Sequence, residues 1–220
     1  MSNDHYVAPD FGASALITID TQRDVLDGQP LEIRGTSAAL PAMQRLLDAF
    51  RRAQAPVVHV VRLYRRGGSN VDLFRRGLVE GGAAILAPGT EGSELAPELL
   101  ADPSVRLDPD LLLAGGIQEI GGLEMAMYKP RWGAFFKTPL EGHLREHGIS
   151  TLVFCGCNFP NCPRTSIYEA SERDFRVVLP TDAISGLYER GEQELAAIGV
   201  QLMTSDQIAT GLLDRLARTH

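Results

Sequence analysis

Asp20, Lys129 and Cys162 are residue types that together can supply a base, a charged partner and a nucleophile, and each follows an apolar run. Cys162 lies between the apolar stretch Thr151-Leu152-Val153-Phe154-Cys155 and a helix-compatible segment from Pro163 to Arg173. The apolar stretch reads as a buried strand. Pro is favourable at the first helical position, so the spacing predicts Cys162 as the N-cap. A thiol there feels the positive end of the helix macrodipole and several free N–H groups. Both lower its pKa and favour the thiolate. A Cys nucleophile also needs a base and donors for an oxyanion. Asp20 could take the thiol proton. Lys129 could hold Cys162 as thiolate and keep Asp20 ionised. The plainer reading of a single buried Cys is a small core residue.

The elements that must position these residues alternate along the chain. Strands are expected over 14–20, 56–61, 123–128, 151–155, 175–180 and 200–203. Helices are expected over 35–53, 138–147, 163–173, 192–198 and 205–218. Thr138 and Gly148 suit the ends of the second helix. Such alternation implies a mostly parallel sheet covered on both faces. Side chains at the carboxyl ends of its strands lie where open α/β sheets bind ligands. His59, inside the second strand, reads as a satisfied core histidine. Residues 62–92 read as one long loop, a kind of segment often tied to function. Residues 93–116 read as turns with a short helix, and residues 1–12 as a polar tail. No repeat or linker divides the chain, so 1–220 is expected to form a single domain.

The 220 residues carry a formal net charge of −7. That balance argues against general affinity for nucleic acid or an anionic membrane surface. No apolar run is long enough to span a bilayer. The opening Met1-Ser2-Asn3-Asp4-His5 does not resemble a signal peptide. Three Cys give no disulfide framework, so a reducing, cytoplasmic setting is the expectation.

The segment Leu16-Ile17-Thr18-Ile19-Asp20-Thr21-Gln22-Arg23-Asp24 resembles the opening strand of the isochorismatase-like cysteine hydrolases. Lys129-Pro130-Arg131-Trp132-Gly133-Ala134-Phe135 resembles their Lys segment. Gly156, followed six positions later by Cys162, resembles their nucleophile turn. The three occur in the family's order. The resemblance implies a Rossmann-like three-layer α/β/α sandwich around a mostly parallel six-stranded sheet. It implies Asp20 as general base, Lys129 as its charged partner and Cys162 as nucleophile. It places an oxyanion hole at the backbone N–H groups of Asn158 and Cys162, with a cis peptide at Cys157–Asn158. It further implies hydrolysis of a C–N bond in a small amide, and a homodimer or homotetramer.

Departures from the family's pattern sharpen the expectation. Metal-binding nicotinamidases carry an Asp-x-His pair and a further His after the second strand, where this chain reads Arg62-Leu63-Tyr64-Arg65-Arg66. No metal or other cofactor is therefore expected. Siderophore-pathway isochorismatases cleave a vinyl ether and lack the Cys, so Cys162 favours amide hydrolysis over an ether hydrolase. Two non-catalytic alternatives stand beside it. One is a metal or redox module using Cys155, Cys157 and Cys162, which lacks an evident fourth ligand. The other is a regulatory module on the same fold. Residues 62–76 hold five Arg and a single acid, Asp72. An Arg from this stretch, Arg62 among them, could bind a negative group on the substrate. Tyr64, Trp132 and Phe135 could supply flat apolar walls.

Overall fold

The structure is a computed structural model that describes residues 5–218, with side chains through residue 215. In chain order its elements are β1 (Ser14–Ile19), α1 (Thr36–Arg52), β2 (Val57–Val61), α2 (Leu73–Glu80), α3 (Pro109–Leu113), β3 (Ile117–Gly121), β4 (Glu124–Tyr128), α4 (Leu140–Glu146), β5 (Thr151–Gly156), α5 (Cys162–Ser171), β6 (Arg176–Pro180), α6 (Glu189–Ala197), β7 (Gln201–Met203) and α7 (Ser205–Arg218). One sheet runs β3-β4-β2-β1-β5-β6-β7. All its neighbours pair in parallel except β3 with β4. The sheet thus has seven strands rather than six.

The extra strand is β3, which lies outside every expected strand. Its sequence, Ile117-Gln118-Glu119-Ile120-Gly121, is polar and only partly buried. An edge strand with one neighbour need not carry a continuous apolar run. Gly121 and Gly122, both at positive φ, make the tight turn into β4. α2 likewise falls inside the expected long loop. Gly77 sits within it, and Leu73, Phe74 and Leu78 face outward, so it presents no simple buried stripe. At the amino end, Asp10 N donates to Thr151 Oγ1 and caps a short 3-10 turn at Phe11–Ala13. Residues 5–12 therefore dock on the domain rather than trail from it, and residues 1–4 lie outside the described residues.

Strand alternation splits the core into two layers. Ala15, Ile17 and Ile19 of β1 pack with Leu152 and Phe154 of β5 against α4, α5 and α6. Leu16, Val153 and Cys155 pack on the opposite face against α1 and α7. Among the described residues no helix is long and apolar enough to cross a membrane.

His59 is a satisfied core residue. Its Nδ1 meets Thr18 Oγ1 at 2.9 Å and its Nε2 faces Glu124 Oε2 at 3.4 Å. Arg51 Nε also donates to Glu124 Oε1 at 2.6 Å. Burial pushes Glu124 up, but its hydrogen bonds with His59 and Arg51 outweigh this and bring it from 4.5 down to about 2. A carboxyl depressed on folding stabilises the protein above its unfolded range and loses that contribution as pH falls through the folded value. Glu124→Gln is therefore expected to cost about 1–3 kcal/mol at pH 7. Denaturant melts should show this gap closing between pH 4.5 and about 2. A gap that stays constant across that window would show that the Glu124 charge is not what stabilises.

Candidate active site

The carboxyl ends of β1, β2, β4 and β5 lie side by side, because these four strands are parallel neighbours. Asp20 leaves β1 at φ 49, a left-handed conformation uncommon for a residue with a Cβ. Three hydrogen bonds hold it there. Asp20 N donates to Val60 O, Gln22 N donates to Asp20 O, and the Cys157 thiol donates to Asp20 O at 3.2 Å. Gly156 closes β5 directly behind, also at positive φ. A Cβ there would lie 2.2 Å from Ile19 O, so only glycine lets the two strand ends approach. Strain held by such over-determined contacts is a feature of functional sites.

Lys129 follows β4 and is wholly buried. Its Nζ donates to Asp20 Oδ2 at 2.7 Å, reaching across the end of β2. Arg62, which follows β2, fills the gap. Its Nη1 donates to Lys129 O at 3.3 Å and its Nη2 to Asp72 Oδ2 at 2.9 Å. Gln22 clamps this strand end on both sides of its amide. Its Nε2 donates to Arg62 O and Ser93 O, and its Oε1 accepts from Arg62 N. Asp20 Oδ1 is buried and completes no hydrogen bond.

Cys162 is the first residue of α5, and Asn161 is its N-cap. The helix thus starts one residue earlier than expected, and Pro163 occupies the second position. Its missing N–H is harmless there as well, since the first four N–H groups of a helix lack partners. Cys162 is 5% exposed. Burial pushes its thiol up to about 11, with Lys129 and Arg62 pulling down and Asp20 pushing up. Burial at this depth thus works against the thiolate that the helix start and the nearby cations favour. Among the described residues the backbone N–H groups of Asn158 and Cys162 donate to no protein acceptor. No peptide bond among them is cis, so Cys157–Asn158 is trans, the form that costs a non-proline bond no isomerisation energy.

The remaining expected pocket residues separate. Trp132, 39% exposed, lines a groove of about 750 Å³ together with Asp72, Arg76, Arg131 and Thr165. Asp20, Lys129 and Cys162 do not line this groove; α5, which starts at Cys162, forms part of its wall. Phe135 does not line it either. It packs in the core against Phe175, as its short apolar neighbours Ala134 and Leu140 also do. Tyr64 is buried and offers no open wall. Its hydroxyl donates to Asp72 Oδ2 and accepts from Arg75 Nη1. Arg75, one of the five Arg of residues 62–76, reaches the site through Tyr64. Asp72 and Gln22 join it without having been expected there. The one signal in the sequence is that Asp72 is the single acid in an Arg-rich stretch.

Cys155, Cys157 and Cys162 are all free thiols. Among the described residues no three His, Cys, Asp or Glu side chains are grouped so as to hold a metal ion. The segment after β2, where nicotinamidases of the resemblance carry metal ligands, here places the cation Arg62 and the phenol Tyr64 against Asp72. Those side chains do not fit a metal cation: Arg62 is itself a cation and already neutralises Asp72.

The family model described as Isochorismatase domain matches residues 14–108 and 117–210. A probable inactive nicotinamidase of Arabidopsis thaliana is 30% identical over 173 residues, covering 77% of this chain and 79% of that protein. The ureidoacrylate amidohydrolase RutB of Methylorubrum extorquens is 29% identical over 191 residues, covering 80% and 71%. The crystal structure of an isochorismatase family protein from Desulfovibrio vulgaris superposes with a TM-score of 0.76 at 31% identity, over 93% of this chain and 98% of that one. With its three-layer fold and matched domain, the chain belongs to the isochorismatase-like hydrolase family, which includes amidases.

Proposed function

We propose that this chain is a cysteine amidohydrolase that cleaves a C–N bond in a small amide through a thioester. The observation that carries the reading is the buried Lys129–Asp20 pair, 2.7 Å apart, with the Asp20 carboxylate close enough to the Cys162 thiol to raise it. Burial pushes the thiol up, so in this mechanism the attacking thiolate forms during the reaction and a base within reach accepts its proton. Asp20 takes that proton as the sulfur bonds to the carbonyl carbon. The free N–H groups of Asn158 and Cys162 hold the resulting oxyanion. The C–N bond then breaks and Asp20 returns the proton to the leaving nitrogen. Water, deprotonated by Asp20, attacks the thioester and restores the thiol. Lys129 compensates the carboxylate charge whenever Asp20 is ionised. C–N cleavage agrees with the amidohydrolase activity named for the RutB relative.

A direct test is a panel of small amides and ureides assayed for ammonia or amine release, with the thioester trapped by mass spectrometry on Cys162. Absence of release across the panel, with no acylated Cys162, would favour a non-catalytic member. One relative named as probably inactive gives that second reading its support. Activity is expected to survive exhaustive chelation, because Arg62 and Tyr64 occupy the segment where metal ligands would be needed. Loss with EDTA and recovery with Zn, Mn or Fe would overturn this.

A further inference from the structure

The five Arg of residues 62–76 have different fates. Arg62 is buried and tied to Asp72. Arg65 and Arg66 are exposed. Arg76 donates to Val71 O of its own turn. Arg75, in the first turn of α2, is partly buried and turns the other way, giving one N–H to Tyr64 OH at 3.0 Å. Beside the reacting groups stand the cations Lys129, Arg62 and Arg75 and the carboxylates Asp20 and Asp72. Lys129 neutralises Asp20 and Arg62 neutralises Asp72, each within 2.9 Å. Arg75 makes no ion pair among the described residues. Burial pushes the Tyr64 hydroxyl up to about 12, so at pH 7 it is neutral and offers Arg75 no counter-charge. Through the Tyr64 hydroxyl Arg75 joins Asp72 and Arg62, whose Nη1 reaches Lys129 O at the strand ends that carry the site.

We infer that Arg75, fixed by its bond to the Tyr64 hydroxyl and lacking a carboxylate partner, is an anion subsite on the Asp20–Lys129 framework that selects small amides bearing a carboxylate. The inference rests on Cys162 being the reacting residue, as proposed above. Tyr64 occupies one arm of the guanidinium and sets its plane. The remaining N–H groups form the fork that matches a carboxylate in two parallel hydrogen bonds. A partly buried position makes the charge worth more than a solvated Arg would be, since water screens it less. The chain of contacts Arg75–Tyr64–Asp72–Arg62 then runs to the Lys129 carbonyl, so the subsite and the Asp20–Lys129 pair share one framework.

Iodoacetate and iodoacetamide test this without a known substrate. They transfer nearly the same group to sulfur with loss of iodide, and differ in charge. Alkylation of Cys162 in the full-length protein is followed by peptide mass spectrometry at pH 8. The ratio of the iodoacetate rate to the iodoacetamide rate should fall about tenfold in Arg75→Gln, the factor expected for losing a charge-assisted hydrogen bond. Arg75→Lys should keep part of the ratio, as a point charge without the fork. Arg65→Gln and Arg76→Gln should keep the wild-type ratio. A fall in both rates that leaves the ratio unchanged in Arg75→Gln would assign Arg75 a structural role and overturn the subsite. An equal fall in ratio with Arg65→Gln or Arg76→Gln would reduce the effect to general charge steering and also overturn it. Failure of either reagent to reach Cys162 in the wild type would show the site closed to small anions, and the subsite would fall with it. The amidase reading fails separately. Loss of the ratio effect with amide hydrolysis intact removes the subsite alone, whereas an intact ratio effect with no hydrolysis of any amide removes the amidase alone.

Discussion

Cys162→Ala and Cys162→Ser should each lower turnover on the order of 10³–10⁶-fold, the range seen when a covalent nucleophile is removed. Both should leave the fold intact. Cys162 is the first residue of α5, where Ala and Ser are accommodated, and the side chain is small. The Ser variant is the stricter test. It keeps the shape and a proton for Asp20 to accept, but replaces sulfur with an oxygen of much higher pKa. Cys155→Ala is the comparison. Cys155 is wholly buried on the face packed by α1 and α7, and burial alone holds its thiol far above its usual value. Its loss should cost about 1–2 kcal/mol of stability and leave kcat near wild type. Equal loss of activity at Cys155 and Cys162 would favour a redox or metal role for the cysteines. Near-normal turnover by the Ser variant would rule out a thioester.

Much of this site is local enough to read from sequence. β1, β2 and β5 are short apolar runs buried on both faces, so their ends can be located from the pattern alone. Asp20, Lys129 and Cys162 follow from where such runs stop. Other features depend on contacts that no local pattern encodes. β3 pairs on one side only and its sequence is that of a half-exposed edge. α2 is recognisable mainly by what Asp72 and Arg75 reach, since its own apolar residues face outward. The partners of Asp72 lie on β2's outgoing end, eight and ten residues earlier, and only the fold shows that its charge belongs to Arg62 rather than to Arg75. Phe135 departs from expectation for the same reason. An aromatic close to Trp132 is as well suited to a core as to a pocket, and α5 decides the matter: Ser166 Oγ and Glu169 Oε2 accept from Ala134 N and Phe135 N and draw that turn inward.

The opposing influences on the Cys162 thiol yield the sharpest expectation about Asp20. A helix start between two cations suggests a thiolate, yet burial and the Asp20 charge push Cys162 up to about 11. Asp20→Asn should therefore act in opposite directions on two measurements. Turnover should fall on the order of 10²–10⁴-fold, because the proposed mechanism loses the group that accepts the thiol proton and returns it to the leaving nitrogen. The thiol itself should become more acidic. Removing Asp20 deletes a charge that raises it and leaves Lys129 and Arg62, which both lower it. Iodoacetamide labelling of Cys162 at a fixed pH near 8 should accelerate, and the midpoint of its pH dependence should move below that measured for the wild type. Lys129, wholly buried, loses its carboxylate in this variant, and breaking a buried pair commonly costs about 3–5 kcal/mol. Labelling is therefore measured on protein shown to be folded by circular dichroism, with Asp20→Glu as a companion that retains the charge. In Asp20→Glu the thiol should titrate close to wild type while turnover suffers from the displaced carboxylate. Slower labelling of a folded Asp20→Asn protein would mean that Asp20 activates the thiol at rest. Retained turnover would mean that another group moves the proton. Faster labelling with lost turnover is the outcome that separates an acidic cysteine from a catalytic one, because only the second needs a neighbour able to carry its proton to the departing nitrogen.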